Sequence, residues 1–251
     1  MIVDDAGQII PLTPKEQAFT YPYEAPTGAF LVRDGGVHPL DDLSLLDNRI
    51  AVLSVGSNRA PRQLLRKFGA DALVPVTPAL LSDFDICHVA NIAPYGAIPC
   101  AAYFSEGTVV QLNIAWLTKA QLAIMHATES LGDAYEFICW HDAQITHQIA
   151  VPSQAVYGYA SLEGMLTSTA RLPMGLSGIQ AESRRFQAAT QQEAMRRAQQ
   201  LSGIGAGLAL EAWVLMMQQD RMMQDEYRRI IAPMGIKSDV QRWDVMADLL
   251  V

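Results

Sequence analysis

Residues 49–69 read RIAVLSVGSNRAPRQLLRKFG, and the fold turns on how this stretch is read. Residues 49–55 form a short apolar run with branched side chains, which predicts a strand. Gly56, Ser57 and Asn58 follow as a turn, in which Gly56 permits close backbone approach and Ser57 or Asn58 can cap what comes next. Pro61 belongs in the first turn of a helix over 60–68, and Gly69 stands where such a helix stops. The start of that helix offers free N–H groups able to cradle a carboxylate or an oxyanion. Arg59 and Arg62 add positive charge there. An ordinary capped turn has the same local signature.

Outward from this unit, residues 74–81, 84–90, 101–104 and 108–115 read as further strands. Residues 118–128 (TKAQLAIMHAT) read as a short amphipathic helix, with Thr118 as its cap and Leu122, Ile124 and Met125 as apolar contacts. Strands over 134–140, 144–151 and 155–160 complete the set. Beyond residue 166 the period changes to helices over 181–201 and 208–231, parted by glycine-rich 202–207, and a last helix over 238–250. Nine of the eleven methionines lie at or after Met165, and flexible thioethers suit a helix–helix core. Residues 1–47 are rich in Pro, Gly and Asp and predict an extended arm with one strand at 29–32. The chain thus divides into an arm (1–47), an α+β core (48–165) and a helical extension packed on it (166–251).

The 251 residues are 50% hydrophobic and 18% charged, which excludes wholesale disorder. A net charge of −8 argues against nucleic-acid or anionic-membrane binding through bulk charge. Eight acids and two bases lie in residues 1–47, so much of that charge belongs to the arm. Three cysteines, Cys87, Cys100 and Cys139, cannot pair completely, which suits a reducing compartment. The first ten residues carry two aspartates where a secretory signal carries bases. The uncharged stretches 86–105 and 143–162 contain prolines and polar residues that suit buried strands and not a spanning helix. A cytoplasmic, soluble protein without membrane or nucleic-acid partners is expected.

Glu129 lies just after the short helix, with Met125, Leu131 and Phe137 as apolar neighbours. A carboxylate in such a setting suits acid–base work near neutral pH, and a surface glutamate at a helix end has the same local signature. Other signals are weaker. Ser57 has no G-x-S-x-G elbow around it. Cys139, His141 and His147 lack metal-ligand spacing. Gly203, Gly205 and Gly207 follow a helix where a nucleotide loop needs a strand. The arginine pairs at 184–185, 196–197 and 228–229 read as solvated helix faces. Residues 166–179 read as a connecting loop or a lid.

The order VGSN (55–58), VVQLNIAWLTKAQLAIMHATES (109–130), Tyr135 and AVYGYA (155–160) resembles the gamma-glutamylcyclotransferase-like family over residues 48–162. In that family a strand ends in Tyr-Gly-Ser-Asn, and a later Leu-Asp-x-x-Glu-Gly segment holds the catalytic glutamate. Gly56, Ser57 and Asn58 match the first motif, with Val55 in place of the tyrosine. Glu129 is kept from the second, with His126 in place of the acid and Ser130 in place of the glycine.

The resemblance implies a mixed β-barrel with short helices, to which the α-helical C-terminal extension is added. It implies a small gamma-glutamyl substrate whose α-amine attacks its own γ-carbonyl, releasing 5-oxoproline and an amine or amino acid. Glu129 would accept the amine's proton and later help protonate the leaving nitrogen. Val55, Gly56, Ser57, Asn58 and Tyr157 would contact substrate, and neither metal nor organic cofactor is required. The departures at Val55 and Ser130 leave open a non-catalytic small-molecule or protein-binding module on the same fold. The helical extension is a candidate surface for homo-oligomerisation.

Overall fold

A computed structural model describes residues 3, 4 and 7–251. The arm contributes helix α1 (Pro14–Phe19) and a hairpin of β1 (Phe30–Arg33) and β2 (Gly36–Pro39). The core follows with β3 (Ile50–Ser54), α2 (Pro61–Phe68), β4 (Val74–His88), β5 (Cys100–Leu117), α3 (Lys119–Thr128), β6 (Tyr135–Trp140), β7 (Ile145–His147) and β8 (Val156–Ser161). The remainder holds β9 (Gly175–Leu176), β10 (Ala181–Glu182), β11 (Ala188–Ala189), α4 (Gln191–Ser202), α5 (Leu210–Gln219), α6 (Arg221–Ile231) and β12 (Trp243–Val245). Among the described residues, no helix is long and apolar enough to cross a membrane.

The expected α+β class is found, as one large mixed sheet ordered β11-β9-β4-β5-β3-β8-β6-β12. The pairs β3–β8 and β11–β9 are parallel, whereas β4–β5 and β6–β8 are antiparallel. The expected closure into a barrel is not found. The path has two ends, β11 and β12, and no pairing among the described residues joins them. The physical reason lies in β4, whose remaining hydrogen-bonding capacity is divided among the short strands β1, β7 and β9. None of these reaches across to β12.

Several boundaries differ from the sequence expectations. The strands expected at 74–81 and 84–90 are one strand, because a bulge between Ser82 and Phe84 absorbs the irregularity and Asp83 takes a positive φ of 64° there. The pair expected at 101–104 and 108–115 likewise fuses into β5. The helix expected over 181–201 starts only at Gln191, where Thr190 and Glu193 form a capping box. Upstream of it, β10 pairs with β5 and β11 with β9. The helix expected over 208–231 is broken at Asp220, whose carboxylate accepts from the amides of Met222 (2.9 Å) and Met223 (3.2 Å). No helix forms over 238–250: Trp243 pairs with Trp140 and packs against Phe84 and Trp140. The arm is also more ordered than expected, with α1 closed by a Thr13–Glu16 capping box.

Among the described residues four apolar clusters hold these elements, the smallest around Cys87, Val89, Ala101 and Met165. The largest buries Leu81, Phe84, Leu112 and Trp116 of β4 and β5. In another, α2 and α3 pack Leu64, Leu122 and Met125 against Val52 and Val76. Helices α4–α6 form a separate core with Met195, Trp213, Met217 and Tyr227, seated on Ile92 and Ile98 of the β4–β5 connection. That seat places α6 beside the connection, and the connection forms part of the site.

Candidate functional site

Strand β3 delivers the chain to Gly56, and a 3-10 turn at Ser57–Arg59 leads into α2. The first bonded amide of that turn is Arg59, which donates to the Gly56 carbonyl at 3.2 Å, so Ser57 and Asn58 precede it. Gly56 is required by space. A Cβ there would lie 2.5 Å from Tyr21 Oη and 3.1 Å from Cys100 Sγ. Tyr21 Oη itself accepts from the Cys100 amide at 3.2 Å. The arm is thereby fixed against the turn.

Opposite the turn stands the end of α3. Its Thr118 cap and its apolar face set the helix on the sheet, and Glu129 is its C-cap residue. Asn58 Nδ2 donates to Glu129 Oε1 at 3.0 Å, across 71 residues of chain. Lys67, from the last turn of α2, donates to the same oxygen. Its Nζ also reaches Thr128 Oγ1 (2.7 Å) and Met125 Sδ (3.1 Å). The two charged side chains are only 3% (Lys67) and 15% (Glu129) exposed. Burial holds the Lys67 ammonium below the ordinary lysine pKa, and the Glu129 carboxylate pulls it partly back. Both donors converge on Oε1, and among the described residues none is seen donating to Oε2. Asn58 Oδ1 is buried without a partner among the described residues. Ser130, where the resembled family has glycine, adopts a φ of 49°, so the serine accepts the left-handed backbone itself.

A cavity of about 50 Å³ lies between these groups, walled by Val55, Gly56, Ser57, Asn58, Glu129 and the rings of Tyr21, Tyr135 and Tyr159. It shares Tyr21, Ser57, Glu129 and Tyr135 with a neighbour of about 200 Å³, which adds Arg66, Lys67, Tyr95, Asn91, Glu163 and Arg228. A third cavity, of about 650 Å³, shares Asn91, Ser130, Glu163 and Arg228 and brings in Gln218 and Gln224 of the C-terminal helices. Small and polar at its floor, the cleft widens toward α5 and α6.

The protonation states of the walls follow from burial. Tyr21, Tyr95, Tyr135 and Tyr159 are all pushed above the ordinary phenol pKa, so each stays a neutral hydroxyl. Burial pushes the Cys100 thiol up to about 12, which removes it as a nucleophile near neutral pH. His126 holds Tyr159: Nδ1 lies 2.9 Å from the Tyr159 hydroxyl, and Nε2 lies 2.9 Å from the Leu249 carbonyl oxygen. A carbonyl needs a donor, so Nε2 carries a proton.

Of the residues named from sequence, Val55, Gly56, Ser57, Asn58 and Glu129 therefore meet at one cavity. Tyr157 does not join them. Its ring stacks on Phe137 with centroids 5.4 Å apart, and Tyr159 takes the wall position two residues further along β8. Segment 166–179 lies along β4, with the Leu166 amide donating to the His88 carbonyl, and it walls none of the three cavities. His141 Nε2 lies 3.6 Å from Asp244 Oδ1, and among the described residues no three His, Cys, Asp or Glu side chains gather as a metal site. Tyr21, Tyr95, Cys100 and Glu163 carry no local signal that marks them as wall residues. Lys67 is visible in the sequence only as one of several bases after the turn. No family model, curated protein or solved structure matches the chain.

Proposed function

We propose that the chain is a gamma-glutamylcyclotransferase-like enzyme, cyclising a small gamma-glutamyl compound to 5-oxoproline with release of an amine or amino acid. On this reading the open mixed sheet is a form of that family's fold. One observation carries the proposal: Asn58 of the turn and Glu129 at the end of α3 bond to each other at the wall of one cavity.

The substrate's α-amine is an ammonium at neutral pH and cannot attack in that form. Bound against Glu129, it gives up one proton and becomes a nucleophile. Nucleophile and electrophile belong to one molecule, so the site needs only to hold the folded conformer in which they meet. The α-carboxylate or the developing oxyanion is placed at the Ser57 and Asn58 amides. The neutral tyrosines offer hydroxyls without adding charge.

The test is 5-oxoproline release from a panel of gamma-glutamyl peptides and amines. Wild type is expected to turn over at least one member, and Glu129→Gln to lower kcat/KM by about 10² to 10⁴-fold. The Lys67–Glu129 pair favours one other reading, a non-catalytic binding module, because an ammonium already occupies the carboxylate. Saturable binding of a panel member to wild type, with no 5-oxoproline formed from any, selects that reading.

A further inference from the structure

We propose that Lys67 is a second catalytic residue of this site, the general acid that protonates the departing amine. The inference rests on the cyclotransferase reading and assigns a step that the resemblance gives to the glutamate alone. An amide nitrogen leaves as an amine only if it gains a proton as the C–N bond breaks. In the whole reaction the α-nitrogen loses two protons and the leaving nitrogen gains two, and Glu129 can hold only one of them at a time.

The geometry supplies a separate donor. Lys67 lines the same cavity as Glu129, Ser57 and Tyr135. It is fixed by three contacts, to Glu129 Oε1, Thr128 Oγ1 and Met125 Sδ, and so cannot sweep away as a surface lysine does. Its side chain is 3% exposed, too enclosed for a solvated ornament on a helix end. Burial weakens its hold on the proton, which is the change a donor near neutral pH needs. All three partners are acceptors that hold a resting ammonium, so the donor form is the one present when substrate arrives, and one of these bonds yields to the leaving nitrogen.

The steps balance. The α-ammonium gives one proton to Glu129. The α-nitrogen pair forms a bond to the γ-carbon while the carbonyl pair moves to oxygen. When that pair returns, the old C–N bond breaks, and its electrons leave on the amine nitrogen, which takes a proton from Lys67 Nζ. The ring nitrogen passes its second proton to the neutral Lys67. The proton on Glu129 departs with the amine, which leaves as an ammonium. The two nitrogens end with as many protons as they began with, and both side chains return to their resting forms.

The experiment compares two leaving groups on wild type and Lys67→Arg. Arginine keeps the positive charge beside Glu129 but does not release its proton. A gamma-glutamyl alkylamide needs a protonated leaving nitrogen, whereas gamma-glutamyl p-nitroanilide can expel the delocalised anilide anion, which takes its proton from water afterwards. The alkylamide kcat/KM is expected to fall by about 100-fold or more, and that of the anilide by about fivefold or less. Lys67→Met, checked for folding by circular dichroism and thermal melting, should show the same split. Equal losses on both substrates overturn the Lys67 role and leave the cyclotransferase reading standing. Absence of wild-type turnover on both substrates and on every member of the wider panel overturns the two together.

Discussion

Two buried ion pairs tie distant parts of this chain together, and their surroundings differ. Asp85 of β4 is fully buried and meets Arg184 at 3.0 Å, while the same guanidinium donates to the carbonyls of Leu176 (3.2 Å) and Ile179 (3.0 Å). The Ile86 amide donates to Asp85 Oδ1 as well, at 2.8 Å. Glycine at position 175 leaves the room this pair needs, since a Cβ there would lie 2.9 Å from Asp85 Oδ2. Neither Asp85 nor Arg184 walls the cleft. Lys67 and Glu129 are bonded as closely, yet they border open volume. One pair is closed into the sheet by backbone carbonyls, and the other is held at the edge of a space. A buried charge pair marks chemistry only when some of its bonding capacity faces a place a ligand can reach.

That contrast can be broken in three ways. The largest effect belongs to the enclosed pair. Arg184→Met leaves the Asp85 carboxylate buried without a cation and should destabilise the fold by about 3 to 5 kcal/mol. A urea titration reads this as a lower midpoint at unchanged slope; a loss below about 1 kcal/mol shows that the pair does not hold β4 to the following segment.

The second effect is a pH dependence centred beside that pair. His88 is fully buried, and desolvation depresses its pKa from 6.5 to about 4, with its Nε2 on the Ala189 carbonyl and Arg184 nearby. The folded value lies below the unfolded one, so on acidification the unfolded chain binds the proton first. The stability is present above the unfolded value and is lost as pH falls from 6.5 toward about 4. Wild type should therefore lose about 3 kcal/mol more than His88→Gln over that window, read from denaturant midpoints at several pH values. Parallel curves for the two proteins would refute the assignment.

The smallest effect on stability is at the open pair's cavity. Gly56→Ala forces Tyr21 and Cys100 to shift, with an expected cost of about 1 to 3 kcal/mol. Its effect on 5-oxoproline release should exceed its effect on melting, because the added methyl displaces a cavity wall. Equal proportional losses would place Gly56 in packing alone.

Legibility in the sequence followed the range of the physics. The strand–turn–helix unit at 49–69 carries its own signals, and β3, the turn and α2 form there. Thr118 caps α3 as its position predicts, with its Oγ1 accepting from the Gln121 amide at 3.2 Å. The region 181–189 misleads because its composition suits a helix while the open edges of β5 and β9 offer ladder bonds. The start of α4 was available in the order Thr190-Gln-Gln-Glu193, and the break at Asp220 in an aspartate able to cap its successors. Trp243 shows the opposite case: its strand exists because Phe84 and Trp140 provide the surface against which it packs.

For the site, the sequence by itself determined the parts that local chemistry can write: a glycine-bearing turn before a helix, a capped short helix, and a glutamate at that helix's end. Only the tertiary structure decided that these parts face each other, that Lys67 rather than solvent meets the glutamate, and that Tyr159 takes the wall in place of Tyr157. It also decided that the arm lends Tyr21 and the C-terminal helices lend Arg228. The reason is one of range. Caps, turns and periodicity act within a few residues of chain. The Asn58–Glu129 contact spans 71 residues and forms only once β3, β5 and α3 have packed.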